Sequence, residues 1–141
     1  MLFYAITSAT GWIMIVLLVA TILYPFLLRS GMLGPVQPFL KRMRFHYWLG
    51  YSIVGILLVH VVASMSAGLT SRTSALGLDL ATVALLLIGG QVMLGRQLSW
   101  PKLSMRRVGR RWHFWVMVGI VAFVLGHLAL GSGTIQALLV R

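Results

Sequence analysis

The chain has 141 residues, 60% of them hydrophobic and 9% charged, and carries a net charge of +11 with a single acidic residue. A soluble globular domain is nearer one quarter charged, so this composition excludes one and calls for a lipid solvent. The absence of cysteine excludes disulfides, cysteine-ligated iron–sulfur clusters and covalent c-type haem attachment.

Residues 1–28 hold no charged side chain. A bilayer takes about 20 mostly apolar residues, so the first spanning helix is expected at about 6–28. This run has no basic segment before it and is long, which favours a span over a cleavable signal. The linker RSGMLGPVQPFLKRMR, with two glycines and two prolines, reads as a loop with room for a short interfacial segment.

The second span is expected at about 46–67, since residues 45–71 are again free of charge. It opens on Phe45, His46, Tyr47 and Trp48. The small, polar stretch SAGLTSRTSALG then turns the chain into a third span at about 76–96, with Asp79 near its start. A second basic linker, RQLSWPKLSMRRVGRR, follows, with Trp100 and Trp112 marking the membrane–water boundary. The fourth span is expected at about 112–132, opening on Trp112, His113, Phe114 and Trp115. Each histidine-bearing helix thus follows a basic loop and begins with aromatics, as if the chain were two similar helical hairpins.

The expected fold is all-α, a single transmembrane domain over 1–141 built as an integral membrane four-helix up-down bundle. Ten cations lie in the first and third linkers; only Arg72 and Arg141 fall on the opposite side. By the positive-inside rule both basic linkers face the cytoplasm, and the N- and C-termini lie on the outer side. The same distribution argues for anionic lipid contact, or an acidic soluble partner, rather than nucleic acid.

The four histidines carry the chemistry. His46 and His60 are fourteen positions apart, and so are His113 and His127. Fourteen helical residues rise about 21 Å and complete just under four turns, so both histidines of a helix face nearly one way. In an up-down bundle the second and fourth helices are parallel. His46 then shares a depth with His113, and His60 with His127, and each pair could clamp a flat cofactor such as haem, whose iron takes two axial ligands. Two irons about 21 Å apart would leave roughly 10 Å between macrocycle edges, a tunnelling distance, with helical rise as the ruler. A lone intramembrane histidine can instead simply bond a neighbouring helix, but independent structural histidines have no reason to agree in spacing. Zinc wants three or four ligands in one cluster, and proton relay is disfavoured by the single acid.

Small residues that let a macrocycle approach the backbone are Gly50 and Gly55 on the second helix and Gly119 and Gly126 on the fourth. Gly89, Gly90 and Gly95 lie on the third helix and Gly11 on the first. The same glycines serve plain helix packing. Arg44, Arg110 and Arg111 lie within three residues of the inner histidines and could meet propionates, as Arg72 could at the outer pair; snorkelling topology charges would look the same.

The wording RFHYWLG…LLVH followed by RRVGRRWHFW…VLGH resembles the ferric-reductase-like transmembrane domain, a group of di-haem membrane b-type cytochromes. It includes ferric reductases, NADPH-oxidase cores and the haem subunit of a methionine sulfoxide reductase system. The resemblance covers about residues 40–130 and rests on the four histidines. It implies two bis-histidine haems b, one on His46 and His113 and the other on His60 and His127. The chain has fewer helices than the larger members and no GxGxxG stretch for a flavin or nicotinamide domain. Electrons are therefore expected to pass to or from another polypeptide, a flavoprotein or iron–sulfur protein, or a quinone.

The function expected is electron transfer across a bacterial inner membrane, as a subunit of an oxidoreductase complex. The rival expectations are a quinone-reactive anchor subunit and a cofactor-free anchor or assembly protein whose histidines only pack.

Overall fold

The computed structural model describes residues 1–34, 39–70, 73–100 and 105–131. Every regular element among them is a helix: α1 (Leu2–Arg29), α2 (Phe39–Arg42), α3 (Arg44–Ser66), α4 (Ala75–Leu98) and α5 (Arg106–Gly131). Four of these, all but α2, are long and apolar enough to cross a membrane, the character of an integral membrane protein. The chain separates into two compact units, Met1–Ala67 and Gly68–Arg141. The boundary falls between the two hairpins that the sequence suggests.

In the first unit α1 and α3 run antiparallel. His60 reaches Thr7 near the start of α1, and His46 reaches Thr21 near its end. At the same end the Tyr24 hydroxyl donates to the Arg42 carbonyl at 2.9 Å, and the Tyr24 and Phe45 rings lie 5.1 Å apart. The core of this hairpin is thin. Ile53, Leu57 and Ala63 on α3 and Leu28 on α1 are buried. Ile53 falls midway between His46 and His60, so the histidines and the packed aliphatics share one stripe of α3. The threonine hydroxyls of α1 are satisfied locally. Thr7, Thr10 and Thr21 donate to the carbonyls of Phe3, Ile6 and Leu17, each four residues back. Gly68, at φ 66°, ends α3 in the left-handed conformation that a Cβ disfavours.

In the second unit α4 and α5 are also antiparallel. His127 reaches Gly77, Leu80 packs on Gly126, Leu87 on Gly119, and Gly95 lies against His113. Ser74 caps α4, its hydroxyl accepting from the Gly77 N–H at 3.1 Å. Ala84, Ile88 and Ile120 are buried. Large apolar side chains such as Trp12, Trp48, Leu58, Leu86, Trp115 and Leu125 are exposed, a surface suited to acyl chains and costly in water.

The spans differ from expectation mainly at their ends. α1 begins at Leu2 and α5 at Arg106, so Arg106, Arg107, Arg110 and Arg111 are helical residues and not loop. Hydropathy marks where the apolar solvent stops, whereas a helix can continue into the headgroup region, and arginine is a good helix former. Trp112 accordingly lies inside α5 and is exposed there. The first linker contributes the single turn α2. Arg72, Lys102, Arg141 and residue 132 of the expected fourth span lie outside the described residues.

Candidate functional site

Each hairpin uses its second helix to carry histidines and its first helix to hold them. On α3, His46 Nδ1 lies 3.0 Å from the Thr21 carbonyl. His60 Nδ1 lies 3.1 Å from the Thr7 carbonyl and 3.1 Å from Thr10 Oγ1. On α5, His127 Nδ1 lies 2.9 Å from the Gly77 carbonyl. A carbonyl oxygen only accepts, so in these three imidazoles Nδ1 carries the proton. In a neutral ring the lone pair then belongs to Nε2. Metal-ligating histidines are commonly oriented in this way, by donating their other N–H to a backbone carbonyl.

Thr7 and Thr21 are fourteen residues apart on α1, the same spacing as His60 and His46 on α3. Antiparallel packing makes the two ladders run in opposite senses, so one register serves both levels. Both histidines of α3 engage α1, as expected of side chains fourteen positions apart. The second unit repeats the construction at one level and differs at the other, though Gly77 and Gln91 are again fourteen apart on α4. The Gly77 carbonyl accepts from His127, and Gln91 Nε2 donates to the His113 carbonyl at 2.9 Å.

Glycine brings the rings close to the supporting helix. A Cβ on Gly11 would stand 3.3 Å from Cε1 of His60, and one on Gly95 would stand 3.4 Å from Cε1 of His113. His60 and His113 thus lie over bare backbone of the supporting helix. The glycines singled out on the histidine helices behave differently. A Cβ on Gly119 would stand 3.4 Å from the Leu87 Cδ1 methyl, which is helix packing, while one on Gly55 would meet nothing within 4 Å. Gly50 lies four residues beyond His46 and is half-buried. Arg44 is the first residue of α3, and Arg110 and Arg111 lie in the early turns of α5; all three are exposed.

Sequence reasoning missed Thr7, Thr10 and Thr21, the partners of the α3 histidines. The repeated fourteen-residue spacing of two threonines on the first span was the available signal. Among the described residues no group of three or more His, Asp or Glu side chains gathers as a metal cluster. The histidines act at separate levels within their hairpins.

The tautomers of His46, His60 and His127 and the glycines beneath His60 and His113 fit imidazoles that ligate a haem iron. His46, His60, His113 and His127 are the residues that would supply them. Comparison with protein families, with curated proteins and with solved structures gave no match.

Proposed function

We propose that this chain is a membrane b-type cytochrome that carries electrons across the bilayer as a subunit of a redox complex. In this reading its four long helices form an up-down bundle with both termini outside. His46 and His113 hold one haem b at the inner level, and His60 and His127 hold a second at the outer level. Bound haem supplies a one-electron ferric/ferrous couple. The chain's own residues do the rest. The Thr21, Thr7 and Gly77 carbonyls fix imidazole tautomer and ring direction, and Gly11 and Gly95 let the rings lie against the backbone. Arg44, Arg110 and Arg111 stand at the inner ends of the histidine helices, where propionates would find cations. The basic inner face suits an acidic flavoprotein or iron–sulfur protein as redox partner, and a quinone could serve at either level. The membrane would be a bacterial inner membrane.

The observation that carries this reading is the repeated donation of Nδ1–H to a backbone carbonyl of the hairpin's other helix, seen at His46, His60 and His127. A helix contact needs only one such bond. Repetition at two levels of one hairpin and again in the next is what a ligand set needs. The same bonds would also stitch helices together in a cofactor-free anchor, and purification separates the two readings. Two b haems per chain by pyridine haemochrome, with a low-spin reduced-minus-oxidised spectrum, are expected. His60→Ala and His127→Ala should each lose the same single haem. A colourless protein from haem-replete cells would leave the anchor reading standing.

A further inference from the structure

We propose that Pro25 is a positioning residue for His46, and that by withholding a backbone N–H from the Thr21 carbonyl it makes His46 a more electron-rich ligand than His60. The proposal rests on the haem reading above. In an α-helix the carbonyl of residue 21 accepts from the N–H of residue 25. α1 continues unbroken through Pro25, and proline has no N–H to give. The proline ring also crowds the carbonyl four residues back and turns it off the helix axis. Inside a membrane an unfilled carbonyl is costly and is filled by a neighbouring group. Here His46 Nδ1 lies 3.0 Å from that oxygen.

The other two supporting carbonyls are an internal control. Four residues beyond Thr7 stands Gly11, and four beyond Gly77 stands Ala81; both have an N–H. The Thr7 oxygen also has Thr10 Oγ1 within 3.1 Å. His60 Nδ1 in turn is equidistant from the Thr7 carbonyl and Thr10 Oγ1, at 3.1 Å each. Thr21 alone of the three lacks the competing backbone donor. A stronger acceptor at Nδ1–H raises the basicity of Nε2, and a more basic axial ligand favours ferric iron. The haem on His46 is thereby held at a lower midpoint than α3 would otherwise give it.

Potentiometry on the purified full chain with its haems tests this. Pro25→Ala restores an N–H to the Thr21 carbonyl and should raise one midpoint while the other stays. The expected three- to tenfold change in ferric-to-ferrous ratio is roughly 30–60 mV for one electron. The midpoint that moves should be the one lost in His46→Ala. Replacing Pro25 by lactic acid, which like proline has no N–H, should keep the wild-type value. Replacing Ile22 by its hydroxy-acid analogue turns the Thr21 carbonyl into an ester, a poorer acceptor, and should raise the same midpoint even if Pro25→Ala fails to accumulate. Unmoved midpoints in a two-haem Pro25→Ala protein overturn this proposal alone, as does a lactic acid variant that behaves like alanine. A wild-type chain without haem overturns it together with the reading it rests on.

Discussion

A Cβ on Gly11 would stand 3.3 Å from Cε1 of His60 and 3.7 Å from its Nδ1. Contact that tight moves the ring by a few tenths of an ångström, away from both the Thr7 carbonyl and Thr10 Oγ1. Alanine at a helical glycine otherwise favours the helix by about 1 kcal/mol. Gly11→Ala should therefore separate two quantities that usually travel together. Thermal unfolding should stay within a few degrees of wild type, while the haem count falls from two towards one. Gly55→Ala is its counterpart: nothing stands within 4 Å of its Cβ, so the α1–α3 hairpin has no reason to change. Loss of haem there would mean that the macrocycle itself occupies the space beside Gly55. Haemochrome stoichiometry with circular-dichroism melting reads both variants. Full haem retention in Gly11→Ala would show that α1 does not constrain the His60 ring.

At the scale of the helix, α4 and α5 begin in opposite ways. α4 starts on a Ser74 cap, whose hydroxyl oxygen suits the partial positive charge of a helix N-terminus. α5 starts on Arg106 and Arg107, has no acid in its first turn, and adds Arg110 and Arg111. Arg106 and Arg107, in the first turn, oppose the helix dipole, by about 0.3–1 kcal/mol each in exposed positions. Lipid phosphates can offset that cost. Phosphatidylglycerol in nanodiscs should therefore raise the melting temperature of the wild-type protein more than that of an Arg106→Gln/Arg107→Gln variant. Equal increments would show that these arginines do not engage the lipid. The early start of α5 was hidden from a reading of hydropathy, which sees the charges and not the continuing helix. The four spans themselves were legible because an apolar run of that length has few other uses. So was the shared face of His46 and His60, which follows from helical period alone. The facing of His46 onto Thr21, and with it the meaning of Pro25, depends on the antiparallel register of two helices, and no single segment encodes that.

Across the molecule a histidine hairpin is built twice: each second helix carries histidines fourteen residues apart, and the first helix offers two carbonyls to them in one hairpin and one in the other. Two such hairpins give parallel histidine helices only if both enter the membrane from the same side. That requires the α1–α3 and α4–α5 connections to lie on one face and the α3–α4 connection on the other. The charges agree, since ten of the twelve cations lie in or beside the first and third connections. The chain contains no cysteine, so a single introduced thiol reports its side without background. Thr70→Cys, between α3 and α4, should react with an impermeant maleimide in intact cells. Ser30→Cys, just beyond α1, should react only after lysis. The reverse pattern would place the basic connections outside and invert the topology proposed above. Labelling of both from one side would mean that α3 does not span. His46 and His60 could not then lie at opposite levels of a bilayer, and no path for electrons across it could run through them.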